Sequence, residues 1–146
     1  MTTFLIDRPA LTVDLFRSAR RNEDFPRLDD ADLGEAIDRY VRFLILCAKH
    51  PNRPLSPTKD IDLVWHLHML SPRGYVRDCE MIFGEVLDHD GGFGAGDEEP
   101  ELRRVFAETA DLWALEYAEP YVGDSCGNVV RCTRNCESRC KRKCST

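Results

Sequence analysis

The sequence predicts an all-α fold: a single bundle of about five helices followed by an irregular, cysteine-rich C-terminal tail. Three observations lead there. Apolar residues recur three and four apart through most of residues 1–124, as the buried stripe of a helix requires. No stretch of any length alternates apolar and polar residues as a half-buried strand would. Helix caps, prolines and a glycine-rich loop divide the periodic segments into pieces of ordinary helix length.

The first piece is "RPALTVDLFRSARRN", where Leu11, Leu15 and Ala19 fall four apart and the arginines suit a helix C-terminus. The second, "DDADLGEAIDRYVRFLILCAKHPNRP", puts Leu33, Ile37, Tyr40, Val41, Leu44 and Ala48 on one face. Asp29 or Asp30 caps it, Lys49 and His50 favour its end, and Pro51 stops it. In "LSPTKD" a helix restarts, with Ser56 as N-cap and Pro57 at the first helical position. Ser71-Pro72 repeats the device and opens a fourth helix that points Tyr75, Cys79, Ile82, Phe83 and Val86 inward. "HDGGFGAGDEE" is a loop. A fifth helix after Pro100 buries Leu102, Val105, Phe106, Thr109, Trp113 and Tyr117.

With 42% hydrophobic residues in 146, the chain can build one core. Its charge of -6 is unevenly spread: from Cys126 onward six basic residues oppose the single acid Glu137, so the tail is positive and the body strongly acidic. That disfavours nucleic-acid binding by the body and leaves the tail suited to an acidic protein or a nucleic acid. "MTTFLID" leads directly to Asp7 and Arg8, without the apolar stretch of a signal peptide, and Phe43–Ala48 is too short to cross a bilayer. The expectation is a soluble cytoplasmic protein with no membrane partner.

The chemistry concentrates in "DIDLVWHLHML", Asp60 to Leu70. Residues four apart share a helix face and residues two apart lie nearly opposite, so Asp62 pairs with His66, and His68 looks elsewhere. Further ligands must come from other elements. Cys79 can approach the Asp62–His66 face if the next helix packs antiparallel, and His89 stands at the mouth of the loop after it. Asp62, His66, Cys79 and His89 are therefore the candidate ligands of a transition metal, zinc by the mixed nitrogen, sulfur and oxygen donor set. With an open coordination position such a centre activates water, and Asp78 or His68 would be the nearby acid or base. The same residues also read as a buried polar network with Cys79 as a small hydrophobe. Asp88, Asp90 and Glu99 have the spacing of an EF-hand loop, but Gly92 and Phe93 break the pattern at its fifth and sixth positions.

In the tail, Cys132, Cys136, Cys140 and Cys144 recur every four residues, with Cys126 upstream. Neighbouring Arg and Lys favour thiolate, and thiolates favour Zn, Cu(I) or Fe–S chemistry, or redox exchange. On a helix the row would span about 18 Å, too far for one ion to collect all four. Enzymatic modification of the cysteines fits the same appendage.

"DIDLVWHLHMLSPRGYVRDCEMIFGEVLDHD" resembles the core motif of the glycine-rich domain-containing protein family, known in plants and with shorter bacterial relatives. The pattern is an acid before "VWH", a second His, then "P..Y..DC" and "G..L.H". It directs attention to Asp62, Trp65, His66, His68, Tyr75, Asp78, Cys79 and His89. The resemblance implies a helical domain followed by a glycine-rich C-terminus, and no settled biochemical activity; plant relatives are linked to development and stress responses. Here Arg, Lys, Ser and Glu stand between the tail cysteines where the family has glycines.

Overall fold

The computed structural model describes residues 8–90 and 96–122. Among them are five α-helices, one 3-10 turn at Gly96–Glu98, and no strand. The helices are α1 (Leu15–Arg21), α2 (Asp30–Lys49), α3 (Lys59–Met69), α4 (Pro72–Phe83) and α5 (Glu99–Tyr117). The all-α expectation holds. The tail and its cysteines lie outside the described residues. No described helix is long and apolar enough to cross a membrane.

The local signals account for most boundaries. Asp14 caps α1 by accepting the Arg17 N–H at 3.0 Å, and Asp29 caps α2 by accepting the Asp32 N–H at 2.7 Å. Leu11 falls before α1 rather than inside it. Pro72 opens α4, where its missing N–H is no loss, and Gly84 ends it with φ +76°. Val86 is therefore past the helix and 48% exposed, not inward as the periodicity predicts.

The third helix starts two residues later than its Ser-Pro signal. Ser56 is buried, but its backbone N–H donates to Thr109 Oγ1 (3.0 Å) and its carbonyl accepts from the Tyr121 hydroxyl (2.7 Å). Tertiary partners hold Ser56 in the connection, and Thr58 takes the capping position, its hydroxyl donating to Asp60 instead of receiving a backbone N–H.

The long α2 packs against α1, α3, α4 and α5. Its buried surface is accordingly wider than one stripe: Ala36, Phe43 and Leu46 join Leu33, Tyr40, Val41 and Leu44. Within that surface sits Arg39, 2% exposed. Its guanidinium donates to Asp60 Oδ2 (2.5 Å), Thr58 Oγ1 (3.2 Å) and the Tyr121 carbonyl (2.8 Å), and stacks near Trp113 at 5.0 Å. A buried charge needs such a full set of partners, and here they come from α3, α5 and the segment after it.

A second buried network fixes α3 and α4. The Tyr40 hydroxyl lies 2.7 Å from His68 Nδ1, and His68 Nε2 lies 2.8 Å from Asp78 Oδ2. Asp78 also accepts the backbone N–H groups of Thr12 (2.7 Å) and Val13 (3.4 Å). One proton arrangement satisfies the whole chain: Tyr40 donates to Nδ1, and the Nε2–H of a neutral imidazole donates to an ionised Asp78. Burial pushes the His68 pKa down against the opposing pull of Asp78. Burial alone would raise Asp78, but the hydrogen bonds from Thr12, His68 and Val13 outweigh it and hold the carboxyl below its ordinary value.

The clamp on residues 12–13 depends on Gly74. A Cβ there would lie 2.4 Å from Val13 Cγ2, a short branched side chain that cannot swing away. Gly74→Ala should therefore destabilise the protein by about 1 kcal/mol in urea titration, although the substitution favours an exposed helix by about that much; a gain in stability would contradict the close approach.

His68 also sets a pH dependence. A histidine kept neutral by the fold loses the folded state's advantage as the unfolded chain protonates, from about pH 6.5 downward. Asp78, depressed in the fold, contributes fully above the ordinary carboxylate range and loses its contribution as pH falls through its lowered pKa. Both act in the same direction. The urea midpoint in chelator buffer should hold from pH 8 to 7 and fall below 6.5, and His68→Gln should flatten the first part of that fall while lowering the midpoint throughout.

Candidate metal centre

The rotation of α3 that turns His68 into the core turns Asp62 and His66 the opposite way, toward the segment that follows α4. Gly84 ends α4 and the chain doubles back over α3, bringing His89 against Trp65 with ring centroids 4.4 Å apart. Three donor atoms then converge. His89 Nε2 lies 2.8 Å from Asp62 Oδ1, His66 Nε2 lies 3.1 Å from His89 Nε2, and His66 Nε2 lies 3.5 Å from Asp62 Oδ1. This is the group of His, Cys, Asp and Glu side chains among the described residues whose geometry can hold a metal ion, all three atoms lying within 4.8 Å of one another.

The separations are chemically informative. Four ligands at 2.0–2.1 Å around a tetrahedral ion stand about 3.4 Å from one another. The observed spread brackets that value. The tautomer of each ring decides which Nε2 donates within the group, and the Asp62 carboxylate is the acceptor that both imidazoles face. Asp62 is buried, the His89 side chain is 8% exposed, and the His66 side chain is 43% exposed on the solvent side.

His89 is held from behind. The Trp65 indole N–H donates to the Tyr75 hydroxyl at 2.9 Å, and that hydroxyl donates to the Leu87 carbonyl at 2.5 Å, two residues before His89. Burial pushes the Tyr75 phenol pKa upward, so it keeps the proton that this bond requires.

The other sequence candidates separate from the group. Cys79 is buried in the core beside Tyr75 and is not among the converging donors. Its helix faces the His68 side of α3, so the antiparallel packing that was to bring its thiol to Asp62 and His66 delivers Asp78 to His68 instead. Asp78 and His68, weighed above as acid and base, are enclosed at 0% and 1% exposure with every ring and carboxylate atom named above engaged. Trp65 stacks on His89, and Tyr75 reaches the same segment through the Leu87 carbonyl. Cys126, Cys132, Cys136, Cys140 and Cys144 lie outside the described residues.

Sequence reasoning did not anticipate Tyr40 as the partner of His68, because its place on the apolar stripe of α2 reads as core. It also missed a cavity of about 760 Å³ beside the centre, lined by Asp62, Trp65 and His89 together with residues of 47–57 and 82–90 and the first turns of α5. The signal for its stiff wall was present in Pro51, Pro54 and Pro57, which keep the connection between α2 and α3 from collapsing into helix.

Residues 11–78 match the family model described as glycine-rich domain-containing protein-like. Glycine-rich domain-containing protein 1 of Arabidopsis thaliana is 34% identical over 96 residues, which is 63% of this chain and 12% of that protein. Glycine-rich domain-containing protein 2 of the same plant is 31% identical over 121 residues, 75% of this chain and 15% of the relative. The match thus spans a small fraction of either plant protein. No solved structure matches the chain. Through the helical body that carries Asp62, His66, His68 and Asp78, this chain belongs to the glycine-rich domain-containing protein-like family.

Proposed function

We propose that the helical body is a metal-binding module in which Asp62, His66 and His89 are the protein ligands of a transition metal. The observation that carries this reading is the convergence of three donor atoms from two separate segments at 2.8, 3.1 and 3.5 Å, the spacing of adjacent ligands around one ion. A donor set of two imidazoles and one carboxylate suits zinc better than Mg or Ca, which prefer all-oxygen shells. When bound, the ion would supply a Lewis-acid centre; the chain supplies the donors, the Trp65 wall and the Tyr75 tether. The cysteine tail is, in the same reading, a separate soft-metal or redox site.

The test is zinc content of the full-length protein after dialysis against a weak chelator. Wild type should hold one equivalent that His66→Ala and His89→Ala each lose, while a variant with Cys126, Cys132, Cys136, Cys140 and Cys144 changed to Ser keeps it. His68→Gln, whose side chain is not a donor to the cluster but orients α3, should keep the equivalent at lower affinity. Zinc retained in full by both His66→Ala and His89→Ala would defeat the assignment.

Tyr75 acts on the centre through Leu87 and not by contact with the ion. Tyr75→Phe should weaken zinc affinity about tenfold, as loss of groups that orient ligands commonly does, when measured by competition with a chromophoric chelator. An unchanged affinity would mean that packing on Trp65 alone positions His89.

A further inference from the structure

The basic tail has an acidic face to meet on its own body. The cavity of about 760 Å³ beside the centre has a mixed lining. Leu55, Trp65, Phe83, Leu87, Leu102 and Val105 contribute apolar surface, while His50, Asn52 and Arg53 are polar residues of the connection between α2 and α3. Glu85, Asp88 and Asp90 stand exposed along the segment after α4. Among the lining residues Arg53 is the one strong cation, set against Asp62 and these three acids. Glu99, Glu101 and Glu108 of α5 pair with Arg103 and Arg104. Glu85 and Asp88 have no basic partner among the described residues.

The described chain ends beside this cavity. Tyr121 is buried, and its hydroxyl donates to the carbonyl of Ser56, a lining residue. Val122 packs on the core one residue later. Val129 and Val130, the large aliphatic residues of 123–146, follow within about 25 Å of extended chain. After them come Arg131, Arg134, Arg139, Lys141, Arg142 and Lys143, against the single acid Glu137.

We propose that residues 126–146 dock in cis across the cavity, with Val129 and Val130 on its apolar floor and the basic residues against Glu85, Asp88 and Asp90. Tethering makes weak contacts sufficient, because a joined segment is present at about millimolar effective concentration. Exposed ion pairs too weak to hold two separate proteins together can then hold a tail. The acidic partner that the tail's charge calls for is the body of the same chain. Docking of this kind needs no ion at Asp62, His66 and His89, so it stands or falls apart from the zinc assignment.

Each side is read while the other is changed, in full-length protein and chelator buffer. In a variant with Arg131, Arg134, Arg139, Lys141, Arg142 and Lys143 all changed to Gln, the backbone amides of 85–90 should exchange hydrogen about threefold faster than in wild type at low salt. In about 0.5 M NaCl, where screening leaves charges a reach of a few ångströms, that difference should shrink. Val129→Ser with Val130→Ser should speed the same amides at both salt concentrations. Conversely, Glu85→Gln with Asp88→Asn should raise the rate at which iodoacetamide alkylates Cys132 and Cys136 by about threefold, since undocking exposes the thiols.

Equal exchange of 85–90 in wild type and the tail variant at low salt would overturn the proposal, and so would unchanged alkylation in the Glu85 and Asp88 variant. Protection of 85–90 that rises with protein concentration would assign the contact to two copies and overturn docking in cis. A short oligothymidylate is the external competitor for the tail. It should bind the Glu85 and Asp88 variant more tightly than wild type, and equal affinity would assign the tail to nucleic acid instead.

Discussion

Burial of one imidazole governs the arrangement of everything else in the site. His68 is almost wholly enclosed between Tyr40 of α2 and Asp78 of α4. An enclosed histidine tolerates very little rotation of its helix, because turning it away strands two hydrogen-bonding nitrogens and their partners without water to replace them. The azimuth of α3 is thereby fixed. Successive helical residues are about 100° apart, so His66 is directed some 200° from His68, and Asp62, one turn earlier, shares its face. The "HLH" motif is two histidines with opposite tasks: one sets the helix and the other uses the setting.

The buried Arg39–Asp60 pair works toward the same end from the other terminus of α3. Asp60 in the first turn is tied to α2 through Arg39, and Arg39 is tied to the segment after α5 through the Tyr121 carbonyl. Such pairs add little net stability compared with apolar residues of the same size, because desolvating the two charges offsets their attraction. What they do supply is selectivity, since a slip of α3 by one residue would leave a guanidinium, a carboxylate, an imidazole and a phenol without partners. We read the two networks as a register device for one short helix.

The helices were legible in the sequence because their signals are local. The spacing of Leu33, Tyr40, Val41 and Leu44, the Asp29 cap, the Pro72 opening and the shared face of Asp62 and His66 all depend on neighbours within a turn or two. What failed to show depended on distant partners. Ser56 looks like an N-cap until Thr109 and Tyr121 claim its backbone. Val86 is the exception: it fits the stripe of α4, and the stop signal that excludes it, Gly84, is local, two residues before it. Cys79 and Asp78 are adjacent in sequence and both buried; which of them reaches α3, and at which histidine, is decided by how two helices cross. His89 was nameable as a candidate, whereas its route to the site, over Trp65 and under the Tyr75 tether, has no local signature.

The candidate centre is assembled from parts of unequal rigidity. Asp62 and His66 are carried by the helix that both buried networks hold, so their relative geometry exists before any ligand arrives. His89 is carried by an irregular segment whose described attachments are the Tyr75–Leu87 hydrogen bond, the stacking on Trp65 and the cluster itself. The family model ends at residue 78, after Asp62 and His66 and before His89, whereas the match to the second plant protein takes in 75% of the chain. Under the proposed metal-binding reading, part of the free energy of binding would go to holding the 85–90 segment down. The same segment forms one wall of the cavity, with Leu87 and His89 both on it. One short segment thus carries both His89 of the cluster and Leu87 of the cavity wall, so what positions His89 against Asp62 also positions that part of the wall.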